Sequence, residues 1–272
     1  MARILIITHA NDEYLARPYM LRHVAATWEA QGHRVIVVAG SQDWPDADVA
    51  ILHVDLTVIP EEYRRGLNRF PVVVNGAALD ISKRVVSRNL LNRDDAWTGA
   101  VVVKSNLNDG GVTEQQLAYS KSAHRPLLPG EVAYVPRPAT YEIFPSIRDV
   151  PDSVWESNST VVERFLPEHD ASGYSVRAWI FFGKSERCTR WRCDEPIVKA
   201  TGMRDPELVP VPEELRAERR RLGFDYGKFD FVVHNDRVVL FDANRTPGAP
   251  PPRNNTVAAN EHLAAGIDEF LK

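Results

Sequence analysis

Cysteine is nearly missing from this chain: Cys188 and Cys193 are the only two in 272 residues. That is too few for a disulfide framework or a zinc site, and both read as reduced bystanders. No apolar stretch approaches the roughly 18 residues of a membrane span. The opening Met1-Ala2-Arg3-Ile4-Leu5-Ile6-Ile7-Thr8-His9 lacks the charged, long apolar and small-residue segments of a secretory signal. The expectation is a soluble, cytoplasmic protein with no membrane partner. With a formal charge of -4 and no basic run, nucleic acid is not expected as a partner. No internal repeat is visible. A Gly-x-Gly-x-x-Gly turn is also missing after the first apolar run, where the chain reads Thr8-His9-Ala10-Asn11-Asp12, so a dinucleotide site is discounted.

The first seventy-five residues alternate strand and helix. Apolar runs at Arg3 to His9, Val35 to Ala39, Val49 to Val54 and Val72 to Val74 read as strands. Met20, Leu21, Val24, Ala25 and Trp28 recur at helical spacing, and Gly32 follows where a helix end favours a left-handed residue. Pro60 to Tyr63 starts a second helix. The pattern is a small parallel α/β layer with right-handed crossovers. Asn75-Gly76 closes it. Asp80 is then expected to cap a helix carrying Ile81, Lys83, Val85, Val86 and Leu90. Lys83 opposes the dipole of that helix, which suggests an anion nearby.

Ala100 to Lys104 is a buried strand ending in lysine, followed by Asn108-Asp109-Gly110-Gly111 and a helix from Val112. A lysine leaving a strand toward a Gly-Gly loop can reach a phosphate whose other oxygens accept backbone N–H groups. Residues 124 to 153 are rich in proline and read as an ordered connecting loop. Tyr174 to Gly183 reads as a long strand in which Arg177 sits among aromatics and needs an anionic partner.

The most informative stretch is near the C-terminus. Gly227 to Phe231, a polar turn at Asn235-Asp236, and Val238 to Gly248 read as a β-hairpin. Asp242 and Asn244 share a strand face because side chains alternate with period two. A three-residue loop, Asn235 to Arg237, would pair His234 with Val238 and set Asp230 opposite Asp242, with Cβ atoms roughly 5 Å apart. In that register Phe229, Phe231, Val233, Val239 and Phe241 form the apolar face, and Val232, Val238 and Leu240 share the acidic one. Two carboxylates and an amide oxygen then converge, a donor set suited to a hard cation such as Mg²⁺.

Gly-x-x-Asp on one strand, a turn, and a second strand ending in acid-x-Asn-x-x-Pro-Gly resemble the metal-binding end of the ATP-grasp superfamily, whose last strand usually reads Glu-x-Asn. Here the acid is Asp242, one methylene shorter. The likeness can be followed upstream to about residue 79, with its parts in the family's order. It implies an α/β ATP-grasp fold: an N-terminal pre-ATP-grasp domain at 1–78, a small subdomain and Pro-rich connector at 79–159, and a C-terminal subdomain with the metal site at 160–272. It assigns Lys83 and Lys104 to nucleotide phosphates and Gly110 and Gly111 to a lid that usually has more glycines. Glu163, Arg164, Phe165 and Leu166 resemble the hinge strand, whose backbone pairs with the adenine edge. Glu168, ahead of Asp170, would hold the ribose hydroxyls.

In the peptide-forming branch a strand arginine stabilises phosphate and developing charge, which the likeness gives to Arg177, joined by Arg190, Arg192 and Lys199. Lys228 falls where D-alanine ligase-like members carry an arginine over the tetrahedral intermediate. Asp230, Asp242 and Asn244 become ligands of Mg²⁺, or of Mn²⁺, with ATP as cofactor. Thr8, His9, Asn11 and Asp12 read either as acceptor-substrate residues or as a polar loop capping the next helix.

The activity implied is ATP-dependent ligation of a small-molecule carboxylate to an amine through an acyl phosphate, with homodimerisation compatible. No Ser, Cys or His nucleophile is required. Nothing in the constellation is an obvious base for a hydroxyl acceptor, whereas a carboxylate is already ionised near pH 7. Two other readings stay open at this level: a small-molecule kinase, and a non-catalytic nucleotide-binding module.

Overall fold

The computed structural model describes residues 1–118, 141–198, 200–249 and 256–271. The N-terminal layer is a four-stranded parallel sheet of β1 (Arg3–Thr8), β2 (Arg34–Ala39), β3 (Val49–Leu52) and β4 (Val73–Val74), in the order β2-β1-β3-β4. The apolar runs form strands because both faces of the central pair are covered. Ile4 and Ile6 pack on α1 (Met20–Ala30), and Leu5 and Ile7 pack with Tyr63 of α2 (Glu61–Arg64). Gly32 takes the left-handed conformation that ends α1, at φ 90°.

The expected helix after Asp80 is shorter than its apolar spacing suggested. Asp80 accepts the backbone N–H of Ser82, and α3 (Lys83–Val86) begins one residue later. Leu90 instead forms a β-bridge to Glu163. A three-stranded antiparallel sheet follows, ordered β6-β5-β7, from β5 (Val101–Ser105), β6 (Glu142–Phe144) and β7 (Thr160–Arg164). β6 falls in the stretch read as irregular connector, where Glu142 to Phe144 are free of proline and pair with Val101 to Val103. Pro126, Pro129, Pro136 and Pro138 lie outside the described residues. β7, which the boundary at 160 would give to the C-terminal unit, pairs with β5. The loop Asn108–Gly111 leads into α4 (Val112–Ala118), and α5 (Asp152–Trp155) packs on β7.

The largest sheet is antiparallel. It comprises β8 (Glu168–Asp170), β9 (Gly173–Phe182), β10 (Ser185–Cys193), β11 (Arg204–Leu208), β12 (Tyr226–His234) and β13 (Arg237–Asn244), ordered β11-β10-β9-β12-β13 with β8 on the same edge of β9 as β12. α6 (Glu213–Leu222) covers one face through Leu215 and Leu222 against Trp179, Phe181, Phe229 and Phe231. α7 (Thr256–Ala264) packs with α1 near the other.

Two side chains weld the N-terminal layer to this sheet. Buried Asn75, at φ 62°, accepts the N–H groups of Asp225 and Tyr226 and donates to Tyr226 O. Arg245, fully buried, donates to the carbonyls of Ala78, Leu56 and Thr57. Cys188 and Cys193 are buried free thiols, and burial pushes Cys188 up to about 11.

Candidate active site

The β12–β13 hairpin builds the centre of the site by a route different from the expected one. Its turn has two residues, Asn235 and Asp236, at φ 48° and 60°, and His234 pairs with Arg237. Asn and Asp tolerate that left-handed pair, which suits the twist of a tight hairpin. In an unbroken register Asp230 would face Phe241. A bulge intervenes: Phe231 pairs with Leu240 while Asp230 pairs with Asp242, so Phe241 is the extra residue. The facing carboxylates are therefore as expected, but the apolar faces are not. Leu240 joins Phe229 and Phe231 in the core beneath α6, and Val238 packs against it, whereas Phe241 stays half-buried beside Lys104.

Each acid holds a lysine. Lys228 Nζ lies 2.7 Å from Asp230 Oδ2, and Lys83, buried at the start of α3, reaches Asp242 Oδ1. Burial favours the neutral form of Asp242, but Lys83, then Lys228 and Lys104, hold it below the ordinary carboxylate range. Burial raises Asp230, only partly offset by Lys228. Two acids pushed in opposite directions are the behaviour of like charges sharing a site. Asn244 accepts the backbone N–H of Thr246 at 2.8 Å; the Thr246 hydroxyl is held closer by Asp55 Oδ1, at 2.5 Å. One lone pair of the Asn244 oxygen thus remains for a ligand. The donor set of Asp230, Asp242 and Asn244 is all oxygen and on one face, which fits Mg²⁺.

The small sheet faces this hairpin. Lys104 Nζ sits 5.0 Å from the centre of the Phe241 ring and 2.6 Å from Glu163 Oε2, with Glu163 2 % exposed. In the loop beyond, Asp109, Gly110 and Gly111 have φ of 45°, 69° and 81°. Three successive left-handed residues keep the backbone close to the site, a path that glycine takes without strain. The loop is tied to the N-terminal layer by Asn108 N–H to Thr57 Oγ1, 2.9 Å, and by Glu114 of α4, which accepts from Thr57 N–H at 2.7 Å.

The hinge segment departs from its expected use in part. Arg164 N–H is taken by Asn89 O and Phe165 N–H by Ala100 O, so neither donates to an adenine edge. The Arg164 guanidinium lies over Trp97, 5.3 Å from its centre. Leu166 follows at the end of the segment.

Glu168 and Arg177 meet on the other face of the sheet. Arg177 pairs with Phe231 in the register of β9 and β12, so it shares the face of Trp179 and Phe231, and alternation puts it on the opposite face from Lys228 and Asp230. Its anionic partner is Glu168, through Nε to Oε2 at 3.0 Å and Nη2 to Oε1 at 2.9 Å. Glu168 also forms an ion pair with Arg190 at 3.0 Å and accepts the N–H of Val233 at 2.8 Å, where β12 has parted from β9. Buried and bonded to Arg177 and to the Val233 N–H, Glu168 secures a strand junction. Asp170 is held by Arg190 at 2.7 Å. Lys199 lies outside the described residues.

A cavity of about 520 Å³ opens beside the hairpin. Lys83, Lys228, Asp242 and Asn244 line it, with Asn108 and Asp109 of the loop, and so do Arg17, Tyr19, Asp55 and Thr246. That last group was missed by the sequence reading. Asp55 follows the third apolar run at the carboxyl end of a parallel strand, where ligands of α/β layers gather, and that was the available signal. Of the polar residues after β1, Asp12 holds Arg17, Asn11 donates to Leu117 O of α4 at 2.6 Å, and Thr8 is fully buried.

No family model matches the chain, and no curated protein matches it in sequence. Solved structures do match. D-cycloserine synthetase DcsG is 13% identical, with 99% of this chain and 100% of that one covered and a TM-score of 0.55. The ATP-grasp ligase PsnB, complexed with precursor peptide PsnA2 and AMPPNP, is 12% identical over 99% and 97%, with a TM-score of 0.55. D-alanine--D-alanine ligase from Bacillus anthracis, complexed with ATP, is 13% identical over 100% and 96%, with a TM-score of 0.51. Residues 1–272 thus carry the ATP-grasp fold over essentially the whole chain.

Proposed function

We propose that this protein is an ATP-dependent ligase that joins a small-molecule carboxylate to an amine through an acyl phosphate, using Mg²⁺. The observation that carries the reading is the facing pair Asp230 and Asp242, each on a lysine, beside a cavity that Asp242 and both lysines line and that is large enough for a second substrate. Proteins of the same fold named as ligases support it. Asp230, Asp242 and Asn244 would hold the ion, which supplies charge neutralisation on the transferred phosphoryl group. Lys83 and Lys104 are assigned to the phosphates of ATP, with Gly110 and Gly111 in the loop above. Lys228, which lines the cavity beside Asp242, faces the reacting carboxylate and stabilises the charge that builds on it.

The substrate carboxylate attacks the γ-phosphorus in line; an O–P bond forms, the bridging P–O bond breaks and ADP leaves. The amine then attacks the acyl carbon and phosphate leaves. Asp242 is held on Lys83, which makes it a poor base for an alcohol and favours a carboxylate acceptor over the kinase reading. The assignment of domains at 1–78, 79–159 and 160–272 belongs to the same reading.

The test is ATP with pooled carboxylates and hydroxylamine in place of the amine. An acyl hydroxamate with stoichiometric ADP is expected; a stable phosphate ester of an alcohol, with no hydroxamate from any acid, would replace the ligase by a kinase.

A further inference from the structure

One part of the cavity wall carries two opposite charges that the ligase chemistry does not use. Arg17 and Asp55 both line it, with Arg17 Nη1 3.9 Å from Asp55 Oδ2. That separation is too long for a hydrogen bond, so neither group satisfies the other. Behind them, Asp12, with a side chain fully shielded from solvent, lies 3.2 Å from Arg17 Nε. The brace occupies one edge of the guanidinium and leaves the terminal nitrogens for a ligand. Asp55 accepts Tyr19 OH on one oxygen at 3.0 Å and Thr246 OH on the other at 2.5 Å, which fixes the carboxylate and leaves each oxygen a further lone pair. The Arg17 side chain keeps 23% of its exposure, so it is reachable.

We propose that Arg17 and Asp55 of the cavity wall bind the zwitterionic head of an α-amino acid, its ammonium on Asp55 and its α-carboxylate on Arg17, with the carboxylate to be activated carried on the side chain. Adjacent opposite charges on the wall match adjacent opposite charges on one carbon of the ligand. The α-carboxylate, neutralised by a braced guanidinium, is the anchor and a poor nucleophile. The carboxylate that attacks ATP is then a second one, placed by Lys228 and Asp242 of the same cavity wall, which makes the substrate an aminodicarboxylic acid. Its side-chain oxygen forms the O–P bond as ADP departs. When hydroxylamine is the amine, its nitrogen forms the C–N bond, phosphate leaves with the acyl C–O bond, and the nitrogen's proton passes to water.

This inference rests on the ligase reading, and the experiment separates their failures. The full chain is given ATP, Mg²⁺, hydroxylamine and D- and L-aspartate, glutamate or 2-aminoadipate, each beside its analogue lacking the amino group or the α-carboxylate. ADP release and a side-chain hydroxamate, identified by mass fragmentation, are expected from one amino acid, with kcat/KM about 10- to 100-fold lower for each analogue, since each loses one charge-assisted contact. Arg17→Gln should lower kcat/KM for the parent similarly, chiefly through KM. The same variant should abolish the preference over the analogue lacking the α-carboxylate and leave ATP affinity within about twofold. Equal activity of the analogues, α-hydroxamates, or an unaffected Arg17→Gln enzyme would overturn the amino-acid subsite while the ligase stood. Calorimetric binding of an amino acid that depends on Arg17, with no ADP release from any acid, would keep the subsite and remove the ligase. Asp55→Asn serves as a second variant, scored only if its ATP affinity shows that it has folded.

Discussion

The two faces of the large sheet each carry a charged cluster, and the sequence made both look functional. On one face, Lys228 and Asp230 meet Asp242 and Lys83, and all of these but Asp230 line the cavity. On the other, Arg177 and Arg190 converge on Glu168 and the N–H of Val233. In both, basic side chains neutralise carboxylates in a low-exposure setting. What separates them is use of the oxygens. Glu168 spends its acceptors on protein donors at a point where two strands part, so the cluster is closed. Asp242 lines an open volume, and the opposite shifts of the facing aspartates mark a site where a cation would be welcome. A charge among aromatics demands a partner; only the parity of the register tells which face supplies it.

The largest difference between the two faces should appear in turnover. Asp242→Asn, or Asn244→Ala, removes a metal ligand whose effect is greatest in the transition state, and kcat is expected to fall on the order of 10²-fold or more with the fold retained. Wild-type-like turnover at limiting Mg²⁺ would place the ion elsewhere. Arg177→Ala should instead act on stability. It leaves Glu168 with Arg190 and one N–H, at a cost of about 1–3 kcal/mol, read as a lower denaturant midpoint, with kcat per folded molecule little changed. A fall in kcat of the size seen for Asp242→Asn, without loss of stability, would return Arg177 to the chemistry.

Lys104→Ala sharpens the contrast further, since it removes a phosphate contact already present in the ground state. ATP affinity should drop about tenfold, measured by calorimetry, and kcat at saturation should fall less than affinity. The smallest effect is one of pH. Burial raises Asp12 to about 6, against the opposing pull of Arg17. Because folding favours the protonated carboxyl, its contribution is complete below about pH 3.9 and is lost as pH rises from there to about 6. Wild type should gain stability relative to Asp12→Asn by on the order of 1 kcal/mol between pH 7 and 4. A flat difference across that window would show that Asp12 is ionised throughout.

Legibility from sequence followed the range of the interaction. The parallel N-terminal layer was readable because apolar runs, Gly32 and Pro60 are local signals. Lys83, Lys104, Asp230, Asp242 and Asn244 could be singled out from residue type and order, and Lys83, Asp230 and Asp242 do meet in the fold. Arg177 was misplaced because parity within β9 has no meaning until Phe231 is known to lie opposite it. The hairpin shows two errors cancelling: a turn read one residue too long and a bulge at Phe241 not seen, which together still bring Asp230 to Asp242. Arg17, Tyr19 and Asp55 escaped because contacts between distant parts of the chain assemble them: Tyr19 meets Asp55 at a separation of 36 residues and Asp55 meets Thr246 at 191.

The central claim is that the Asp230–Asp242 face holds Mg²⁺ and ATP while the Glu168–Arg177 face holds the sheet together. Calorimetric titration of ATP, with and without Mg²⁺, into the wild type, Asp242→Asn and Glu168→Gln tests it most directly. The account predicts that Mg²⁺ strengthens ATP binding to the wild type and to folded Glu168→Gln but not to Asp242→Asn. Loss of the Mg²⁺ effect in Glu168→Gln with its retention in Asp242→Asn would contradict it.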